Sequence, residues 1–230
     1  MSELAREYKI EVKKKMVLSK DTPVLSVNLR YPVFEPLSLE PKERVFTSKV
    51  NRFYSDSAEK YVRTLGKNYA KRAAKIYTSN GGIKASFVMN CAVAYSDEDY
   101  ISVFADISVY NGKSTSTNRF SQLWSREKSS ILPASMVFDT SSKSKKYIKE
   151  TICGIAEKNL KLKGFSYFDN YKSIINKSFD FSKFYIVPNG VAFYFDKGVL
   201  SASAPDVCVF VVPFEKIDGM TKIGFSHNFT

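Results

Sequence analysis

Few side chains in this sequence could do chemistry, and their spacing argues against most of it. His227, the one histidine among the 230 residues, stands three positions from the C-terminus, where a chain end frays. A Ser–His or Cys–His nucleophile pair would have to recruit it, and a histidine-based zinc site cannot be built from one histidine. Cys91, Cys153 and Cys208 are far apart, odd in number and free of any C-x-x-C spacing. Their apolar surroundings read as buried thiols, with one disulfide and one free thiol as the alternative. Asp97, Glu98 and Asp99 form the densest acidic cluster. A calcium loop spaces its ligands at alternate positions and adds a glycine and a distal glutamate, so a solvated hairpin turn is the better reading. Neither Gly81-Gly82 nor Asn111-Gly112 is followed by the Gly-Lys-Ser/Thr or Gly-x-x-Gly pattern of a phosphate-cradling loop. No catalytic residue, metal site or cofactor is expected, and the chain reads as a non-enzyme.

The charge is more informative. The formal net charge is +12, and it is concentrated. Residues 41–76 hold 10 Lys/Arg against 3 Asp/Glu, residues 142–163 hold 7 Lys against 2 Glu, and the remainder is balanced. Both segments read as helices, so their surfaces could face a polyanion: nucleic acid, anionic lipid headgroups or an anionic wall polymer. A nucleic-acid module would set stacking aromatics among the basic residues. Here Phe46, Phe53, Tyr61 and Tyr69 follow the core period of the helix instead, so specific nucleic-acid binding is not expected. No window reaches the roughly 18 apolar residues of a membrane-spanning helix, and MSELAREYKIEVKKK lacks a signal-peptide core. That leaves a cytoplasmic protein, or one whose anchor or export signal lies outside this sequence.

The elements that must position these groups follow from periodicity. Glu7–Leu18 and Val24–Phe34 read as opening strands. From Pro41 to about Tyr77, apolar residues recur at spacings of three and four, from Phe46 and Val50 through Tyr61 and Leu65 to Ile76, predicting one long amphipathic helix. Gly66 is a weak point within it. Alternation then takes over in Ile83–Tyr95 and Ile101–Val109, followed by a polar strand, Ser114–Trp124. This predicts a meander of three antiparallel strands. Ser125–Ser144 is weakly patterned and marks a junction. A second helix carries Ile148, Ile152, Ile155, Ala156 and Leu160, and a shorter one spans Asp169–Asn176. Phe184–Val187, the turn Pro188-Asn189-Gly190, Val191–Phe195 and the apolar run Val207–Val212 close the chain as a hairpin and return strand. The predicted class is α+β with antiparallel sheets: one long helix in the first half, a helix and β unit in the second. The expected domains are 1–125 and 126–230, packed closely enough to form one unit.

The closing segment also carries a resemblance. Phe184, Tyr185, Ile186, Pro188, Asn189, Gly190 and Val191 fit an F-Y-[LI]-T-P-[DN]-G-[LIV] hairpin, and in Tyr194–Phe214 (YFDKGVLSASAPDVCVFVVPF) the residues Tyr194, Phe195, Phe210, Val212, Pro213 and Phe214, preceded by Phe193, fit the run Y-F-x-P-Y-E-I-A-P-Y-A-x-G-x-x-x-[VF]-x-[IV]-P-[YF]. Both resemble the C-terminal signature of the RsiV-like family, and the order of elements agrees from about Glu7 to Ile217. Tyr110-Asn111-Gly112 stands where the family's Tyr-x-Gly-Gly-Ala-His-Gly-like loop begins. The resemblance implies an extracytoplasmic domain of Gram-positive bacteria, membrane-anchored or secreted in its full-length form. Such domains occur outside membrane-anchored anti-sigma factors, one type of which senses lysozyme, and before the catalytic domain of some peptidoglycan deacetylases.

The departures bear on the ligand. The family's two Pro-Tyr pairs fall at Lys197-Gly198 and Ala202-Ser203, and its Gly-Ala-His-Gly stretch is Lys113-Ser114-Thr115-Ser116 here. Aromatic anchors carry interface energy that Gly, Ala and Ser do not supply, which argues against lysozyme. The resemblance thus implies a non-enzymatic binding or sensing domain at the cell envelope, taking an envelope protein or cell-wall glycan. Its expected contact residues are Tyr110, Asn111, Gly112, Lys197, Gly198, Ser201 and Ser203. The alternatives are a polyanion- or membrane-surface-binding module acting through the basic helices, and an accessory domain of a cell-wall enzyme.

Overall fold

Alternating polarity before residue 35 and helical spacing after residue 41 produce a hairpin followed by a helical crossover. The computed structural model describes residues 8–65, 69–162, 164–202 and 207–225. Strands β1 (Tyr8–Ser19) and β2 (Thr22–Phe34) are antiparallel, in register from Tyr8↔Phe34 to Ser19↔Thr22, with one irregularity between Val17 and Leu18. Lys20 and Asp21 form the tip with φ of 47° and 62°, the left-handed pair that a two-residue hairpin turn demands. On β2, Leu25, Val27, Leu29 and Tyr31 are buried, and they present one face of the strand to the helices that follow.

The single long helix expected over 41–77 is described as α1 (Pro41–Thr64) and α2 (Ala70–Ser79). Pro41 sits in its first turn, where its missing N–H costs nothing. Leu65 continues the helical backbone, its N–H reaching the Tyr61 and Val62 carbonyls; Gly66 lies outside the described residues. Phe46, Val50, Tyr54 and Ala58 of α1 and Ala73 of α2 form the buried stripe, and both helices pack on β2.

The crossover changes one feature of the expected topology. Strand β3 (Ala85–Ser96) pairs with β2 in parallel, from Leu25↔Ala85 to Arg30↔Asn90, whereas an antiparallel sheet was expected. Parallel neighbours need a crossover of a dozen residues or more, and α1 and α2 supply it. Strands β4 (Tyr100–Tyr110), β5 (Thr115–Ser125) and β6 (Ser130–Ile131) complete a six-stranded mixed sheet of order β1-β2-β3-β4-β5-β6. The connections β3–β4 and β4–β5 are too short for anything but antiparallel return, so the meander stands.

The chain divides into two compact units. One holds the residues up to Val93 with Ala105–Asn118, the other Ala94–Phe104 with the residues from Arg119 onward. The division runs through the three meander strands, whereas the expected boundary at residues 125–126 lay just past them.

In the second unit the former junction contains β6 and a short helix, α3 (Ala134–Val137). Helix α4 (Ser142–Asn159) begins at Ser141, whose hydroxyl oxygen accepts the Ser144 N–H, and buries Ile148, Ile152 and Ala156. Helix α5 (Tyr171–Ser178) buries Tyr171 and Ile175. Strands β7 (Phe184–Val187), β8 (Gly190–Phe195) and β9 (Cys208–Pro213) form a three-stranded antiparallel sheet. A short helix, α6 (Phe214–Ile217), follows. Every residue of β8 is buried because both sheet faces are covered. On one side Phe193 meets Phe138 and Phe179, with ring centroids 5.7 Å and 5.3 Å apart. On the other, Tyr185, Ala192 and Tyr194 pack with Ala94 and Phe104. The class is α+β, as the periodicities predicted.

Candidate binding cleft

In the first unit, Tyr31 sits at the C-terminal end of β2, and its register partner is Glu11 on β1. Pairing on a common face puts Glu11, Lys13 and Tyr31 side by side. The Tyr31 hydroxyl donates to Glu11 Oε1 at 3.3 Å. Lys13 Nζ lies 5.6 Å from the Tyr31 ring centroid and 3.4 Å from Glu59 Oε1 on α1. Burial pushes the Tyr31 phenol up from its usual range, more than Lys13 pulls it down. Hydrogen bonding with Tyr31, then with Glu59, holds Lys13 above its ordinary value. At neutral pH the pair is a neutral phenol beside a cation.

The other wall is α1. Asn51 donates from Nδ2 to the Phe34 carbonyl at 2.9 Å and accepts the Phe34 N–H on Oδ1 at 2.8 Å, so one amide clamps the end of β2. The Thr47 hydroxyl donates to Glu43 Oε1, which also accepts the Leu37 N–H. Arg44 and Arg52, two turns apart on the same helix face, rise at the rim. Arg52 faces Asp56 at 3.6 Å with both side chains largely exposed, a pairing worth little and readily exchanged. These walls border an open groove of about 630 Å³. Its floor is tied down, and its rim carries exposed cations.

The residues expected to make contact fall elsewhere. Tyr110 is half-buried at the end of β4, and Asn111-Gly112 begins the turn into β5. Asn111 Oδ1 accepts the N–H groups of Lys113 and Ser114 at 3.0 and 2.9 Å. Gly112 has φ of 87°, and a Cβ there would come within 2.1 Å of Asn80 Nδ2 at the end of α2. This loop is therefore held by its own turn and by close approach to the helix end, leaving Asn111 exposed. In the second unit, Lys197 and Gly198 lie in the loop after β8, where Val199 N–H donates to the Asp196 carbonyl at 3.1 Å. Gly198 is exposed with φ of 81° and open space around it, while Ser201 is buried. Ser203 and His227 lie outside the described residues.

The acidic triplet is the turn that was expected: Asp97 Oδ1 accepts the N–H groups of Asp99 and Tyr100 at 2.9 and 2.6 Å. All three cysteines are free thiols. Burial pushes Cys91 up to about 12 and raises Cys153 and Cys208 as well, so none is a thiolate nucleophile at neutral pH. Among the described residues no three His, Cys, Asp or Glu side chains gather into a metal site, and no helix is long and apolar enough to cross a membrane. The cleft was not legible in the sequence. Tyr31 reads as an ordinary core residue, and Asn51 as a polar residue on a helix, until β1 and α1 are brought against the end of β2.

No protein-family profile matches the sequence, and no curated protein is significantly similar to it. The fold does have solved counterparts. A DUF3298-family protein of Bacteroides fragilis NCTC 9343 superposes with a TM-score of 0.64 at 12% identity, over 93% of this chain and 93% of its own. A DUF3298-family protein of Pseudomonas aeruginosa PAO1 gives a TM-score of 0.58 at 10% identity, over 94% of each chain. At these identities the likeness is one of fold: the chain has the architecture of DUF3298 structures, a domain of unknown function.

Proposed function

We propose that this chain is a non-enzymatic, extracytoplasmic binding or sensing domain of the bacterial cell envelope, RsiV-like, with the cleft of its first unit as a contact site for an envelope protein or cell-wall glycan. The observation that carries the reading is the chemistry of that cleft. Its buried phenol and its lysine are both held in their ordinary charge states, its floor amide is spent on backbone, and its rim offers Arg44 and Arg52 to an anionic or hydroxyl-rich partner. The signature in β7–β9 supports the envelope assignment, and the loop at Lys197-Gly198 offers a second contact. The exposed cations of α1 favour a second reading, an anionic membrane or polymer surface, which predicts a steep loss of binding with salt.

The test incubates the purified chain with peptidoglycan, purified wall polymers and lysozyme. The reading expects no release of muropeptide or acetate, micromolar retention on at least one envelope component, and roughly tenfold weaker retention for Arg44→Ala/Arg52→Ala. Turnover of the glycan, or no retention on any component at micromolar concentration, refutes it.

A further inference from the structure

We propose that β1 is a docking edge, and that its partner is an extended peptide segment of alternating acidic and apolar residues that adds to the six-stranded sheet as a further strand. The inference rests on reading the chain as a binding domain and specifies the form of its partner.

The first observation is the edge itself. β1 is outermost in the sheet, and among the described residues its strand partner is β2 alone. It runs for 12 residues, about twice the usual strand length, without the proline or shortness that blunts many natural edges, and its lysines, which guard an edge against indiscriminate pairing, narrow the partner to an acidic strand. Its irregularity comes late, between Val17 and Leu18, so Tyr8–Met16 presents a regular row of backbone donors and acceptors.

The second observation is an inverted pattern. Glu11, Lys13 and Lys15 pair opposite Tyr31, Leu29 and Val27, so they share the helix-bearing face. On the opposite face Ile10, Val12, Met16 and Leu18 are 37%, 47%, 43% and 52% exposed. A strand with a solvated outer face ordinarily turns its apolar side chains inward. Here only Val17 is buried, and the exposed row is apolar except for Lys14 between Val12 and Met16.

The third observation is charge. β1 carries Lys9, Lys13, Lys14 and Lys15 against Glu11. Helix α2, which packs on β1 and β2, adds Lys71, Arg72 and Lys75 with no acidic residue. This weighs against a second copy of the chain. In every face-matched antiparallel self-pairing centred on residues 11 to 15, at least one lysine meets a lysine, and like charges directly opposite are unfavourable. A strand with carboxylates opposite Lys9, Lys13 and Lys15, an uncharged polar residue opposite Glu11, and apolar side chains opposite Ile10, Val12 and Met16 satisfies charge, apolar contact and backbone together. Strand addition draws affinity from the main chain and specificity from such alternation. A lipid surface would use the charge and the apolar row but leave the edge amides without strand partners.

The experiment uses the whole chain and an acetylated, amidated decapeptide of alternating glutamate and valine in which the glutamate that would face Glu11 is replaced by glutamine. A block peptide of the same composition and an alternating lysine–valine peptide serve as controls. The expected result is hydrogen exchange at the β1 amides slowed roughly tenfold or more by the alternating acidic peptide, and weaker binding of the block peptide. Lys9→Glu/Lys15→Glu, both exposed and outside the cleft, should weaken binding roughly tenfold and gain binding of the lysine peptide. The exchange measurement on the unaltered chain stands even if that variant misfolds. Unchanged β1 exchange at millimolar peptide, equal binding of the block peptide, β1 protection that grows with protein concentration alone, or β1 protection by phosphatidylglycerol vesicles but not peptide would overturn the proposal. Intact binding to envelope components beside any of these results sinks strand addition alone; loss of all envelope binding sinks the reading beneath it.

Discussion

Gly190 opens β8 opposite Pro213 of β9, and Gly190→Ala is the sharpest probe of the closing sheet. A Cβ built there lies 2.3 Å from the Val212 carbonyl oxygen, 2.9 Å from its carbon and 3.0 Å from the Pro213 Cα. All three obstacles are backbone, so no side chain can rotate away, and ordinary contact requires β9 to retreat by about 1 Å. β9 cannot do so freely, because Phe193↔Phe210 and Val191↔Val212 lock buried side chains into the same sheet. Overpacking costs about 1–3 kcal/mol, and a backbone obstacle places this site at the upper end, near 3 kcal/mol. With a urea slope of about 2 kcal/mol per molar, the unfolding midpoint falls by roughly 1.5 M. The comparison that isolates the cause is Gly198→Ala, where φ is 81° but nothing lies within 4 Å of the added Cβ. That change meets only left-handed backbone strain of about 1–2 kcal/mol, and Gly198→Asn less. Both variants are read by urea denaturation followed by far-ultraviolet circular dichroism. A midpoint shift below about 0.3 M for Gly190→Ala, or a larger loss for Gly198→Ala, refutes the close-approach argument.

Asn51→Ala leaves the Phe34 N–H and carbonyl without their shared partner; we expect a loss of about 2 kcal/mol and faster exchange of the Phe34 amide, measured by denaturation and hydrogen exchange. Phe138→Ala removes a fully buried ring with Phe184 and Phe193 at 4.8 and 5.7 Å, for an expected loss of about 3–5 kcal/mol by the same denaturation assay. Cys91, raised to about 12 by burial, should be the slowest thiol to react with a disulfide reagent at pH 8, its rate rising to that of a free thiol in urea. The Asp139 carboxyl is held below its usual range by hydrogen bonds from the Ser144 and Ser141 hydroxyls and the Ser141 N–H. A lowered folded value means that this stability is present above the unfolded value near 3.8 and is lost as pH falls through the folded one. Asp139→Asn should therefore flatten the decline of the urea midpoint below pH 4, and an unchanged decline would exclude the contribution.

Much of the fold was legible because burial imposes a period on each element. Leu25, Val27 and Leu29 alternate because one face of β2 meets helices, and Phe46, Val50, Tyr54 and Ala58 recur every four residues because one stripe of α1 meets that strand. Residues whose partners are remote in sequence were opaque. Ser102 is wholly buried between Ile101 and Val103, a polar side chain in an apolar strand with no local reason. Its Oγ accepts the Ile186 N–H at 2.9 Å, and the Ser121 hydroxyl donates to the Phe184 carbonyl, so two serines satisfy the outer edge of β7. Arg119 likewise makes sense through remote partners: Phe104, Tyr185 and Tyr194 have ring centroids 4.1, 5.5 and 6.0 Å from its guanidinium, which also donates to the Tyr185 hydroxyl at 3.2 Å.

By itself the sequence determined most of the elements, the α+β class, the turn at Asp97–Asp99 and the tight turn at Pro188-Asn189. Each depends on the polarity and backbone preference of neighbouring residues, information that is local. Tertiary structure alone decided that β3 joins β2 in parallel, that Glu11, Lys13, Tyr31 and Asn51 meet in one cleft, and that the long, basic strand β1 lies at the sheet edge. Those outcomes depend on which surfaces meet after the chain has crossed over on itself, and local sequence preferences do not specify pairings that close over fifty residues.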